Sequence, residues 1–178
     1  MADVIDYTIF GDDIQLVEIE LDPGEGVRAE AGTMTYMDNS IEMQTGTGGG
    51  LLKGLKRAVT GESFFITTFL NNGGGKEKVA FAAPYPGKIV PLELDKLGGK
   101  FLCQRDSFLC AAQGTEIEVA FTKRLGAGLF GGEGFILQSL EGDGLTFVHA
   151  GGPSSKGHLP LVKPCVSTRV VLLPLPLL

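Results

Sequence analysis

One order of residues occurs twice in this chain and constrains it more than any other feature. Lys56-Arg57, a short spacer, Gly61-Glu62, Ser63 and then Phe64-Phe65-Ile66 make the first copy. Lys123-Arg124, a glycine-rich spacer, Gly132-Glu133-Gly134 and Phe135-Ile136 make the second, about 70 residues later. Each copy runs on through a turn, Asn71-Asn72-Gly73-Gly74 or Glu141-Gly142-Asp143-Gly144, into the strand-like pieces VAFAAPYPG and LTFVHAGG. A recurring order of this length predicts one structural unit used at least twice.

The unit is built from strands. Val4 to Phe10 and Gln15 to Leu21 alternate apolar with polar residues, the pattern of a strand with one face buried. Between Leu21 and the next strand, Asp22-Pro23-Gly24-Glu25 suits a type II turn, in which the third residue needs positive φ. Val27 to Met34 and Ile41 to Thr45 are the next strand candidates, followed by Phe64 to Leu70 and Val79 to Ala83. Lys88 to Leu94 opens a second cycle, in which FLCQRDSFLCAA (Phe101 to Ala112) takes the place of VRAEAGTMTYMD, and Glu116 to Phe121 alternates cleanly. The one helical candidate is Leu51 to Val59, after the break at Gly46 to Gly50. Short strands with a turn about every ten residues predict an all-β chain of sandwich or jelly-roll character. Glycine, at 27 of 178 residues, is about twice its usual share, which agrees.

The expected organisation is a first β repeat over 1–90, a second over 91–152, and a tail over 153–178. With no disordered linker between them, the two repeats are expected to stack into one body. A net charge of −6 argues against a surface that envelops nucleic acid, so no DNA partner is expected. Cys103, Cys110 and Cys165 fit neither a metal spacing nor an even set of disulfides, and the first two stand in an apolar context, as buried thiols do. The N-terminus carries no secretory pattern and no stretch reaches the ~20 apolar residues of a membrane helix, so the expected location is cytoplasmic.

The tail differs from what precedes it. PSSKGHLPLVKPCVSTRVVLLPLPLL holds five of the nine prolines and none of the 21 acids. Read one base out of frame, its codons permit Leu-x-x-Gly-Glu followed by an arginine, the order that stands at Leu21 to Gly32 (LDPGEGVRAEAG). The expectation is a shifted reading frame across the start of a third repeat. A genuine proline-rich tail is the alternative.

GDDIQLVEIELDPGEGVRAEAGTMTYMDNSIEM, GLKRAVTGESFF, FLCQRDSFLCA and GLFGGEGFILQSLEGDG together resemble a bacterial member of the "altered inheritance of mitochondria" family, over residues 1 to about 152. The resemblance implies a fold like that of the tryptophan RNA-binding attenuation protein: small antiparallel β sandwiches of jelly-roll character, repeated in the chain and assembled into rings or trimers. It implies mitochondrial fungal relatives linked to inner-membrane organisation, and soluble bacterial ones without an assigned reaction.

Several motifs bear on chemistry. Gly126-x-Gly128-x-x-Gly131 matches the dinucleotide fingerprint in letters, but Glu133-Gly134-Phe135 follows where a helix should begin, so a tight glycine corner is expected instead. Lys53, Lys56 and Arg57 in one copy, and Lys123 and Arg124 in the other, precede matching glycine-rich segments. Stacked repeats would align them into a patch for an anionic partner, either lipid headgroups or RNA, against the ordinary alternative of a solvated surface. Glu62 and Glu133 match in position after Gly61 and Gly132, and are expected to accept hydrogen bonds within their own turns. His149 and His158 lack neighbouring ligands, and Ser63, Ser107 and Ser139 lack the nucleophile-elbow pattern. The sequence therefore predicts a homo-oligomeric scaffold or binding module with no cofactor, metal or catalytic residue. The second expectation is a small-ligand binder at repeat or subunit seams, with Phe64, Phe65, Phe135 and Tyr85 lining the pocket. A hydrolase built around His149 is the third.

Overall fold

Leu16–Leu21 alternates strictly between half-buried and buried residues, and from this strand the sheets build outward. The computed structural model describes residues 1–46, 66–123 and 135–151. Thirteen strands run β1 (Asp6–Phe10), β2 (Leu16–Leu21), β3 (Gly26–Glu30), β4 (Met34–Met37), β5 (Ile41–Gly46), β6 (Ile66–Asn71) and β7 (Glu77–Ala82) in the first part. The second part holds β8 (Gly87–Glu93), β9 (Lys100–Gln104), β10 (Phe108–Ala112), β11 (Glu116–Lys123), β12 (Phe135–Glu141) and β13 (Leu145–Gly151). Only short 3-10 turns interrupt the strands among the described residues. The all-β expectation holds, and the helical candidate Leu51 to Val59 lies outside the described residues.

The strands form three antiparallel sheets, ordered β1-β2-β7-β4, β5-β6-β3-β10-β13-β8 and β11-β12-β9. The pairings follow one scheme twice. The ladders β2·β7, β4·β7, β3·β6 and β5·β6 have counterparts in β8·β13, β10·β13, β9·β12 and β11·β12. Even the irregularities correspond: β4 shifts register between Met34 and Tyr36, and β10 between Phe108 and Cys110. The two sets join in the six-stranded sheet, where Ala29, Arg28 and Val27 of β3 face Cys110, Ala111 and Ala112 of β10. A boundary at residue 90 falls inside β8, whose ladder partner is β13.

Val27 to Met34 is not one strand. A 3-10 turn at Ala31–Thr33 turns the chain from β3 in the central sheet to β4 in the outer one, with Glu30 and Met34 extended on either side. Arg105–Ser107 does the same between β9 and β10. The sequence run hides these corners because the residues around them remain apolar and strand-forming. At Asp22 to Glu25 the expected turn is present: Gly24 has φ 87° and the Glu25 N–H donates to the Asp22 carbonyl at 3.0 Å.

Two cores lie on opposite faces of the central sheet. Val17, Ile19, Leu21, Val79 and Phe81 of the outer sheet pack on Val27, Ala29, Phe69, Cys110 and Phe147. Phe69 and Phe81 meet edge to face across this layer, with centroids 5.2 Å apart. On the other face Phe108, Ala111 and Val148 pack on Phe101, Cys103, Ile117 and Leu140. Strand β10 thus contributes to both cores, and all five of its residues are buried. This explains why FLCAA reads as an unbroken apolar run while LVEIEL alternates.

Candidate functional site

The corners and the β3–β10 seam bring polar groups together below the central sheet. The turn Ala31–Thr33 places the Thr33 hydroxyl 2.8 Å from the Glu30 carbonyl and 3.4 Å from the Leu109 carbonyl of the other strand set. Arg28 reaches across the seam and donates from Nη1 to the Thr115 carbonyl at 2.8 Å. At the far end of the seam Gln113 N–H donates to the Gly26 carbonyl at 2.9 Å, and Gly26 N–H to Asp3 Oδ2 at 3.0 Å.

Next to the second corner stand Tyr85, His149, Glu30, Arg105 and Asp106. The rigid Pro84-Tyr85-Pro86 connection holds Tyr85 so that its hydroxyl donates to the Asp106 carbonyl at 3.0 Å. His149, only 3% exposed, lies edge-on to the Tyr85 ring, and neither of its ring nitrogens has a hydrogen-bond partner. Burial holds its imidazole below the usual value. Burial raises the half-buried Glu30 carboxyl, with Asp106 adding to the rise and the Arg105 guanidinium opposing it. The Tyr85 phenol is raised by burial, then by the negative charges of Asp106 and Glu30. These groups are coupled through space and sit where both strand sets meet.

Other expected features separate. Cys103 and Cys110 are buried free thiols; burial pushes Cys103 up to about 12 and Cys110 well above its usual value, so neither is an activated nucleophile. Ser139 donates to Glu141 Oε1 at 2.7 Å, and neither it nor Ser107 has a hydrogen bond to His149. Among the described residues no cluster of three or more His, Cys, Asp or Glu could hold a metal. Lys123 ends β11, paired with Phe135. Lys53, Lys56, Arg57, Arg124, Gly61, Glu62, Gly132 and Glu133 lie outside the described residues, as do Phe64, Phe65, Cys165, His158 and the tail. Of the expected pocket lining, Tyr85 alone can be placed by its side chain, at the corner described above.

The buried Gln138, with neither amide atom hydrogen-bonded, was not signalled by the sequence; it lies opposite Cys103 in the β9–β12 ladder. Its counterpart opposite Ala29 in the β3–β6 ladder is Thr67, also fully buried with an unpartnered hydroxyl. The only hint was a polar residue at the inward-facing place of each strand.

These features define an all-β protein of antiparallel sheets in which one pairing scheme is used twice across a shared central sheet. The chain belongs to the mitochondrial biogenesis AIM24 family, whose model matches residues 7–168. That match continues past Gly152, where the acids stop. An uncharacterised protein of Streptococcus pyogenes serotype M6 is 34% identical over 149 residues, covering 79% of this chain and 58% of that protein. A crystal structure of another Streptococcus pyogenes protein, solved by a structural-genomics consortium, aligns with a TM-score of 0.62 and 29% identity. The alignment covers 82% of this chain and 64% of the solved one. The chain therefore spans less than two thirds of either relative. No helix among the described residues is long and apolar enough to cross a membrane.

Proposed function

We propose that this protein is a non-enzymatic, self-associating β scaffold that binds an anionic surface through paired basic loops. One observation carries the reading. The β11–β12 hairpin is the counterpart of the β5–β6 hairpin in the pairing scheme, and residues 47–65 and 124–134 connect these two hairpins. Lys53, Lys56 and Arg57 therefore belong to one connection, and Lys123 and Arg124 to the base of the other. Corresponding hairpins project their connections from corresponding places, which concentrates positive charge on a chain that is acidic as a whole. Each cation near an anionic membrane surface contributes about 1 kcal/mol, so several together suffice for reversible binding.

Vesicle sedimentation tests this. Vesicles containing phosphatidylserine should retain the protein at low salt and release it at high salt, and phosphatidylcholine vesicles should not retain it. Replacing Lys56, Arg57, Lys123 and Arg124 together by glutamate should lower retention at least tenfold; unchanged retention refutes the reading. Binding to single-stranded RNA with a steep salt dependence, in place of vesicles, would select the RNA partner. Sedimentation equilibrium tests self-association, and a monomer at all concentrations would remove it.

The unpartnered His149 beside Tyr85 favours a second reading, a small ligand held at the seam. L-Tryptophan, the ligand of the attenuation protein whose fold the sequence resembles, is the first probe. A saturable change in the His149 ring resonances supports it, and none at millimolar tryptophan counts against it.

A further inference from the structure

The pairing scheme leaves one strand edge of each set without the neighbour that its counterpart has. In the first set β3 is covered on its outer side by β10, whereas its counterpart β9 ends the three-stranded sheet with β12 as its only partner. In the second set β10 is covered by β3, whereas its counterpart β4 ends the outer sheet with β7 as its only partner. These statements concern the described residues.

The two edges are complementary. The seam in place joins a β3-type strand to a β10-type strand, and what remains open is one strand of each type. By ladder position, Phe101, Leu102 and Cys103 stand where Val27, Arg28 and Ala29 stand in the seam. Tyr36 and Met37 stand where Cys110 and Ala111 stand. Burial agrees: Cys110 and Ala111 are fully buried, while Tyr36 and Met37 are 43% and 36% exposed. Large apolar side chains along an uncovered edge are what natural sheets ordinarily avoid.

We propose that the edges of β4 and β9 are the two halves of one binding surface, closed by a third strand set of the same plan carried further along the same polypeptide. Its β10-type strand would pair with β9 and its β3-type strand with β4, repeating the existing seam twice and closing the sheets around an approximate threefold axis. The lengths of the relatives fit. This chain spans 58% of one and 64% of the other, close to the two thirds that two of three sets would fill. A second copy of this chain fits less well, because it brings two sets to a gap that the scheme fills with one.

Amide hydrogen exchange on the protein as it stands is the first test. Outward-directed amides of 34–37 and 100–104 should exchange on the order of 100-fold faster than those of 27–29 and 110–112. Equal protection would mean that the edges are already covered and would overturn the proposal. The second test extends the chain, joining a further copy of residues 87–151 after Gly151. Slowing of exchange at both edges, in a monomer with one unfolding transition, is the expected result. A further copy of residues 20–86 is the alternative graft, and failure of both grafts to slow either edge overturns the proposal. Protection that rises with concentration in the unextended chain would make a second copy the occupant, and would overturn it too.

Discussion

The rings of Tyr85 and His149 meet edge to face, with centroids 4.9 Å apart and planes at 70°. This contact closes the corner between the two strand sets and fixes an imidazole where it has no hydrogen-bond partner. A histidine whose folded value lies below its unfolded value of about 6.5 is neutral in the fold. Its stabilising effect is present above that unfolded value and is lost as pH falls through it toward the folded one. The urea midpoint should therefore fall between pH 7.5 and 5.5, and His149→Gln should flatten that fall. Glu30, raised by burial, acts in the opposite sense but titrates mainly below this window.

Gly87 sits against the same imidazole. A methyl group there would lie 2.3 Å from the Ala150 carbonyl and 2.4 Å from His149 Nε2. Gly87→Ala should cost about 1–3 kcal/mol in denaturant unfolding. Adding His149→Ala should recover only part of this loss, since the backbone clash at Ala150 remains.

Asn71 spends all of its side chain on backbone. Its Nδ2 donates to the carbonyls of Leu21 and Gly75, each at 2.8 Å, and its Oδ1 accepts from Gly73 N–H at 2.8 Å. Asn71→Ala would strand buried groups in three segments and should destabilise the protein by about 2–3 kcal/mol, read from the urea midpoint at constant m.

Phe81 fills the first core against Phe69 and is fully buried. Phe81→Ala should cost about 3–5 kcal/mol in the same unfolding experiment. With both sets joined through the central sheet, near- and far-ultraviolet signals should be lost together; separate transitions would show that the two cores unfold independently.

Thiol labelling checks the cores differently. In a Cys165→Ser variant neither Cys103 nor Cys110 should react with a thiol reagent at pH 8 in the folded state, and both should react in denaturant. Labelling of the native chain would contradict the burial of these residues.

Strand content was legible because most strands are bounded by turn chemistry: Asp22 to Glu25, Asn71 to Gly74 and Glu141 to Gly144 all punctuate alternating runs. The corners at Ala31–Thr33 and Arg105–Ser107 were not separated, since neither carries a glycine–proline stop and both flanks stay extended. Sheet order was out of reach for a different reason. Apolar alternation tells which face of a strand is buried but not which strand lies beside it, so the β3–β10 seam had no local signal. Tyr85 was picked out as an aromatic near a fixed proline connection, whereas its partner Glu30, more than fifty residues earlier, looked like an ordinary solvent-facing acid.

The shared ladder between β3 and β10 carries a consequence for how the two halves are held. Chain continuity between them runs through the short exposed piece around Tyr85, but cohesion runs through backbone pairs at Ala29, Arg28 and Val27 and through the Arg28 bridge to Thr115. A protease nick between residues 84 and 86 would therefore cut the covalent thread without cutting the sheet. The fragments should travel together on a sizing column and part only when denatured.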